Sequence, residues 1–275
     1  MITKNGKKWN VVAVTPAGRE RHLTVLRKYI EREMDKGIID GWQLWKNTGV
    51  QSDIDYMNRI AVENPLIEVK EIEDLKVFDA YQIHKFFRFA QDDDTIYLRI
   101  DDDIVWMADD AVKKLMEYRV ENKEAFAVCA NIVNNTVVGA IHQNIGAVST
   151  ELGKCSGDRL DEFAHRNEGF AELSHSTFRD LKEQSRLWMY VFQPHKLNVY
   201  EPFSINCFAF FGKDHFAPAP DEEMWISSYQ PSLLSRPCVI FGDALFVHYA
   251  YYTQRPHLDT KPEIHNYYLE ESKKI

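Results

Sequence analysis

Residues 91–106, QDDDTIYLRIDDDIVW, contain two aspartate triplets on either side of one short apolar run. Adjacent carboxylates repel one another, and apolar neighbours raise that cost by excluding water. Asp92, Asp93 and Asp94 fall between a helical and a strand-like pattern, in a connection where acids are readily solvated. Asp101, Asp102 and Asp103 end the run IYLRI and are followed at once by Ile104, Val105 and Trp106. A bound divalent cation would relieve both repulsion and desolvation, and oxygen ligands point to Mg²⁺ or Mn²⁺. In extended backbone Asp101 and Asp103 face one side and Asp102 the other, so a DxD pair can meet one ion. The plain alternative is an acid-rich strand end that holds no metal.

The surrounding pattern says where that strand end lies. Residues 9–14 (WNVVAV) read as a buried strand, broken by Pro16, Ala17 and Gly18. Residues 19–36 place Leu23, Leu26, Tyr29, Ile30 and Met34 at helical spacing, and Gly37 ends them. Residues 42–45 predict a second strand, 53–63 a helix that stops before Pro65, and 67–72 a third strand. Residues 77–90 predict a long helix with Phe78, Tyr81, Ile83, Phe86 and Phe87 near one side. Residues 96–100 form a fourth strand and 125–133 a fifth, after another helix. Strands alternating with helices imply βαβ units and a mainly parallel sheet. Ligands in such sheets bind beyond the carboxyl ends of the strands, where the second triplet falls. Residues 151–200 break the rhythm: they begin polar and glycine-punctuated and turn helical over 178–190, an insertion beside the site. Residues 261–275 predict a polar surface helix.

Composition sets the outer bounds. The 275 residues, 45% hydrophobic and 13% aromatic, suit one large globular domain. A formal charge of −9 argues against nucleic acid as a partner. No apolar run approaches the roughly 18 residues of a membrane span, and the opening MITKNGKKWNVVAV is too short in apolar residues for a secretion signal. The 4 cysteines (Cys129, Cys155, Cys207, Cys238) lie far apart, which favours free thiols in a reducing cytoplasm. The expected location is cytoplasmic, at most peripheral to a membrane; oligomeric state is not legible.

A strand ending in DxD inside an α/β chain that opens with a strand and a short turn resembles the GT-A glycosyltransferases. The segments LRIDDDIVWMADDAV, FAVCANIVNN, HQNIGA, FSINCFAFFGKD, DEEMW and FGDALFVHYAYYTQ look like a set shared by polysaccharide glycosyltransferases of microbes and large viruses. The resemblance implies a GT-A-like (Rossmann-like), mainly parallel sheet flanked by helices, with an inserted acceptor-side segment. Residues 1–275 would form a single catalytic domain, 1–135 its nucleotide-sugar-binding half and 136–275 its acceptor-side half. It implies transfer of a sugar from a nucleotide-sugar donor, UDP- or GDP-linked, to a glycan or surface-polysaccharide acceptor with Mn²⁺ or Mg²⁺. Asp101 and Asp103 would hold the metal and its diphosphate, with Asp102 beside the donor. His248, at the end of a strand-like run over 239–247, would complete the metal site; read from its neighbours alone it is a hydrogen-bonded core histidine. Thr15, Pro16, Ala17, Gly18 and Arg19 would cradle base, ribose and phosphate, although as residues they are equally a strand–helix turn. Asn47 and Asp53 either line the nucleotide pocket or are solvated loop residues.

Further residues carry two readings each. Asn131, Asn134 and Asn135, with His142, Gln143 and Asn144, either read sugar hydroxyls or make turns. Asp221, Glu222 and Glu223 either begin a helix, where acids complement the dipole, or supply an acceptor-side carboxylate, with Asp221 and Glu222 preferred. That acid would deprotonate the acceptor hydroxyl in an inverting enzyme and only position it in a retaining one. Trp225, Trp188 and the tyrosines of 249–252 either stack on sugars or fill core. Two other enzymes fit part of the pattern. IDDDIV resembles the nucleophile motif of haloacid-dehalogenase-type phosphotransferases, with Asp101 as nucleophile and Asp103 as acid, but that motif normally sits on a first strand. A nucleotidyltransferase would share the fold. The non-enzyme alternative is a carbohydrate- or nucleotide-binding protein without turnover.

Overall fold

Near-continuous apolar runs build a sheet whose two faces are both covered. The computed structural model describes residues 2–4, 6–73, 75, 77–214, 216 and 219–275. The chain runs β1 (Ile2–Lys4), β2 (Lys7–Ala17), α1 (Glu20–Asp35), β3 (Gly41–Lys46), α2 (Gln51–Glu63), β4 (Ile67–Lys70), a 3-10 helix (Ala80–Phe89), β5 (Thr95–Ile100), β6 (Ile104–Met107), α3 (Ala111–Glu121) and β7 (Val128–Val133). There follow α4 (Thr136–Asn144), α5 (Glu162–Arg166), α6 (Glu168–Glu183), a 3-10 turn (Leu187–Tyr190), β8 (His195–Lys196), β9 (Cys207–Phe211) and α7 (Glu222–Met224). A π-helical turn (Trp225–Tyr229), α8 (Gln230–Leu234), β10 (Val239–His248), α9 (Arg255–Leu258) and α10 (Pro262–Ser272) complete it.

The strand order is β4-β3-β2-β5-β9-β7-β10-β6, with β1 beside β2 and β8 beside β10. The pairs β2–β3, β3–β4, β2–β5 and β7–β10 are parallel, whereas β9 runs against both β5 and β7 and β6 against β10. The α/β class and the mainly parallel sheet match the reading of the sequence. Because β9 sits between β5 and β7, the two halves of the chain share one sheet. Ile96, Leu98, Ile100, Ala209, Phe211, Val128 and Ala130 pack on one face. Tyr97, Phe208, Phe210 and Cys129 pack on the other. That assignment follows from strand geometry, in which successive side chains alternate.

Four local expectations need correction. Pro16 and Ala17 do not break β2. The pairing of β2 with β5 ends at Val14↔Arg99, while its pairing with β3 continues to Ala17↔Lys46, so Pro16 lies beyond the rungs shared with β5. The long helix expected over 77–90 is the shorter 3-10 helix, which still buries Ile83, Phe86 and Phe87. In the segment 151–200 the helix expected over 178–190 begins earlier and ends sooner, as α6 over Glu168–Glu183 preceded by α5. Asp161 and Asn167 cap α5 and α6 by accepting from Ala164 N at 2.9 Å and Phe170 N at 3.0 Å, and Phe170, Phe178 and Tyr190 enter the core. The C-terminal helix is anchored as well as solvated, since His265, Tyr268 and Ser272 are buried.

Candidate functional site

After β2 the chain moves outward through β3 and β4, then returns to place β5 on the other side of β2. The carboxyl ends of β2 and β5 therefore flank a topological switch point, the crevice where open α/β sheets bind ligands. Gly18 and Arg19 leave the end of β2, and the second aspartate triplet leaves the end of β5. They meet: Gly18 N donates to Asp102 Oδ2 at 3.1 Å, and Arg19 Nε reaches the same oxygen at 3.2 Å. A methyl group on Gly18 would stand 3.0 Å from Asn47 O and 3.2 Å from Thr48 Cβ, so the end of β3 closes the same corner.

The triplet follows the end of β5 as expected, but as a turn rather than extended backbone. Ile104 N donates to Asp101 O at 3.2 Å, closing a β-turn into β6. The alternation that was to aim Asp101 and Asp103 together therefore does not apply. Each carboxylate has at least one arginine partner, and Arg19 is shared by two of them. Asp101 accepts from Arg99 Nη1 and from Asn206 Nδ2 at 3.0 Å. Asp102 is gripped by Arg19. Asp103 lies 3.0 Å from Arg19 Nη1, 3.2 Å from Arg255 Nη2 and 3.6 Å from His248 Nε2. Three guanidiniums thus supply the positive charge that the sequence argument assigned to a metal. Burial alone would raise the Asp103 carboxyl, but Arg19, His248 and Arg255 hold it well below the usual range. Burial lowers the His248 imidazole, and Asp103 more than reverses this.

Among the described residues no group of three His, Cys, Asp or Glu side chains is arranged around one metal position. The donors present still suit a hard divalent ion, which binds through one or two carboxylates plus substrate phosphates rather than a closed protein cage. His248 Nδ1 lies 3.0 Å from Asn134 O, a carbonyl that can only accept. Nδ1 is thus the donor, and Nε2 is left facing Asp103, the arrangement usual for ligating histidines.

The first triplet behaves as a solvated turn. Asp94 pairs with Lys7 at 2.8 Å, and Asp92 accepts from Tyr97 Oη at 2.9 Å.

Of the late acids, Glu222 is the one turned inward. It is 4% exposed, its Oε1 lies 3.4 Å from Arg99 Nε, and burial lifts its carboxyl to about 7. Glu223 pairs with Arg159. Asp221 is corrected to the capping role: it is exposed, sits at φ 67°, and accepts from Met224 N at 3.3 Å. Glu222 Oε1, Trp225 Nε1, Ser227 Oγ and Gln230 Oε1 are buried without hydrogen-bond partners. All four belong to the segment interrupted by the π-helical turn, a distortion often found at functional sites.

Several expected contact residues are committed elsewhere. Thr15 Oγ1 accepts from Trp42 Nε1 at 2.8 Å, and Pro16 and Ala17 lie within β2, leaving Gly18 and Arg19 at the crevice. Asp53 accepts from Glu20 N at 2.8 Å and so ties α2 to the start of α1. Asn131 Nδ2 donates to Tyr190 O and Gly242 O, both at 2.8 Å, while its Oδ1 meets His142 Nε2 at 2.7 Å. Gln143 serves Ser149 O, Gly153 O and Cys155 N. Both ends of the Asn131 and Gln143 amides are therefore committed to the fold, and His142 spends its Nε2 on Asn131. Asn134 acts one step back, through its carbonyl on His248. Tyr249 and Tyr251 are buried, whereas Trp188 and Tyr252 are exposed at 67% and 66%.

Arg99, Asn206 and Arg255 were not singled out from the sequence. Arg99 was legible: a charged residue inside a buried strand, two positions before Asp101 and hence on its side of β5. Asn206 and Arg255 carry no such signal, because only folding brings them to the triplet.

No protein-family model matches the chain, and no curated protein matches it. Solved structures do. One is glucosyl-3-phosphoglycerate synthase from Mycobacterium tuberculosis in complex with Mn²⁺, UDP and glucosyl-3-phosphoglycerate, at 12% identity and TM-score 0.49 over 94% of this chain and 76% of that one. Another is a mannosyltransferase from Pyrobaculum calidifontis in complex with GDP-Man and Mn²⁺, at 12% identity and TM-score 0.48 over 87% of this chain. The chain spans 56% of that mannosyltransferase. A mycobacterial protein matches at 13% identity and TM-score 0.47, over 87% of this chain and 67% of that one. At this distance the likeness concerns the course of the chain and decides nothing about chemistry.

Proposed function

We propose that the protein is a glycosyltransferase that moves a sugar from a nucleotide-sugar donor to a glycan or surface-polysaccharide acceptor, with Mn²⁺ or Mg²⁺. The observation that carries this is the convergence of Gly18 and Arg19, the aspartate triplet and His248 at one topological switch point. In this reading Asp103 and His248 hold the metal, and Asp101 lies beside them. The metal supplies charge to stabilise the diphosphate as it leaves the sugar. Arg19 and Arg255, already on Asp103, turn to the donor's diphosphate when it enters. Gly18 provides the close backbone approach. Most of the donor site comes from the first half of the chain, with His248 and Arg255 added by the second.

Glu222 faces the acceptor. Held neutral up to about pH 7 by burial, it can accept the proton of an acceptor hydroxyl above that pH in an inverting reaction, or position the acceptor in a retaining one. The unpartnered polar atoms of Trp225, Ser227 and Gln230 suit a polyhydroxylated acceptor. No helix among the described residues is long and apolar enough to cross a membrane.

Calorimetric titration of UDP, GDP, TDP, ADP and CMP with and without Mn²⁺ tests the reading. Mn²⁺-dependent binding of at least one nucleotide is expected, with loss in Asp103→Asn. Failure of every nucleotide to bind folded protein would overturn it.

A further inference from the structure

The corner beside Gly18 holds two acceptor atoms with nothing to accept. Asn47 follows β3, and its backbone N donates to Ala17 O at 2.9 Å, which fixes it against the end of β2. Its side-chain Nδ2 donates to Asp79 O at 3.1 Å. A carbonyl can only accept, so the amide orientation is settled and Oδ1 is the free end. That Oδ1 is buried and unpartnered, and so is Oδ1 of Asp79. Asp79 precedes the 3-10 helix Ala80–Phe89, yet its carboxylate caps no backbone N–H there. The usual structural task of an aspartate at a helix start is not being performed. Two linked residues therefore present unsatisfied acceptors at the edge of the crevice, and burying such atoms is costly unless a ligand supplies donors.

Rings that carry two adjacent donors are few among the nucleobases. The N1–H and exocyclic N2–H₂ of guanine lie side by side. Uracil and thymine offer one N–H flanked by two carbonyl oxygens, which would face the Asp79 carboxylate with lone pairs. Cytosine and adenine offer an amino group beside a ring-nitrogen acceptor. Phe78, 39% exposed, lies against Gly49, where an added Cβ would stand 3.0 Å from its ring. It gives a stacking surface that any base can use, so the choice falls to Asn47 and Asp79.

We propose that the donor is a guanosine-diphosphate sugar, with Asp79 and Asn47 accepting from the N1–H and N2–H₂ edge of the base. The inference rests on the glycosyltransferase reading but is separable from it. The test is Mn²⁺-dependent binding of GDP, UDP, TDP, ADP and inosine diphosphate, which lacks the 2-amino group. GDP is expected to bind at least tenfold more tightly than the others, inosine diphosphate included. In Asp79→Asn, GDP affinity falls at least tenfold, while xanthosine diphosphate, with a carbonyl acceptor at position 2, gains affinity over wild type. That gain cannot come from misfolding. Tighter Mn²⁺-dependent binding of UDP, TDP or ADP would overturn the guanine assignment and leave the glycosyltransferase reading standing. Equal binding of GDP and inosine diphosphate, or an Asp79→Asn protein with unchanged preference, would also overturn it. Binding of no nucleotide by folded protein would overturn both.

Discussion

Arg99 Nε lies 3.4 Å from Glu222 Oε1, while Nη1 of the same guanidinium donates to Asp101 and to Ile205 O at 2.8 Å. Asp101 at the end of β5 and Glu222 of the late acidic cluster are thus joined by one buried cation. Both side chains of the Arg99–Glu222 pair are nearly inaccessible, at 3% and 4%. In such surroundings a lost partner leaves an uncompensated charge, so the remaining groups suffer more than the pair itself is worth.

Arg99→Met should therefore destabilise the protein by about 3 kcal/mol or more. It leaves Asp101 and Glu222 without their shared cation and Ile205 O without its donor. Urea unfolding at pH 7 measures this. A loss below about 1 kcal/mol, the range of exposed pairs, would show that the guanidinium is not the link described.

Glu222 gives a pH signature of opposite sign to an ordinary carboxylate. Burial, only partly offset by Arg99, raises its folded value from 4.5 to about 7. Between those values the folded state binds the proton and the unfolded state does not, so Glu222 costs stability as pH rises from 4.5 to 7. The full effect is at most roughly 3 kcal/mol. Glu222→Gln should remove that slope and be more stable relative to wild type at pH 8 than at pH 5. If Glu222 takes the acceptor proton, the same substitution lowers kcat by about 10² to 10⁴. Equal pH dependence of stability in the two proteins would refute a perturbed Glu222.

How much of this could be read beforehand depended on range. The strands flanking the crevice were visible in WNVVAV and IYLRI because alternation and apolar runs are local signals. The second triplet stood out for the same reason, since acids between apolar runs conflict with burial. The turn at residues 101–104 was not visible, because it depends on β6 turning back to pair with β10. Nor was the fate of Asn131, His142 and Gln143. Their residue types suited a sugar site, but their partners, Tyr190 O, Gly242 O and Cys155 N among them, come from distant segments. The 3-10 helix was mistaken for a longer α-helix because apolar spacing does not separate a tight helix from a regular one. The start of α6 was missed although Asn167 is an ordinary capping residue.

Four histidines should make the protein labile to acid. Burial lowers His22 to about 2, His142 to about 3, and His175 and His265 to about 4. Unfolded histidine titrates near 6.5, so below that pH the unfolded chain binds protons the folded state excludes. Stability is full above pH 6.5 and falls as pH drops toward the folded values. Each histidine contributes roughly 1 kcal/mol of loss between pH 6.5 and 5.5. Glu222 and His248, both raised in the folded state, act in the opposite direction over this range, but two groups do not offset four. Denaturant titrations at pH 7, 6 and 5 should show a steep fall, and His22→Gln should reduce it by one proton. A flat profile would mean these side chains are hydrated or already charged in the folded state.

Gly18→Ala tests whether the crevice between β2 and β5 is the donor site. The added methyl meets Asn47 O at 3.0 Å and Thr48 Cβ at 3.2 Å. Neither can withdraw freely, because Asn47 N is bonded to Ala17 O at 2.9 Å and Thr48 Oγ1 to Asp53 at 3.3 Å. Relief comes from a backbone shift that draws Gly18 N away from Asp102. The expected outcome is a loss of about 1 to 3 kcal/mol in stability, together with at least tenfold weaker nucleotide binding at temperatures where the variant is folded. Gly146→Ala provides the control. That glycine has φ 78° and nothing within 4 Å of an added Cβ, so its substitution should cost about 1 kcal/mol of backbone strain and leave nucleotide affinity unchanged. If Gly18→Ala binds nucleotide like wild type, the donor does not approach the end of β2. The convergence of Gly18, Arg19 and the triplet would then be a packing feature of the switch point.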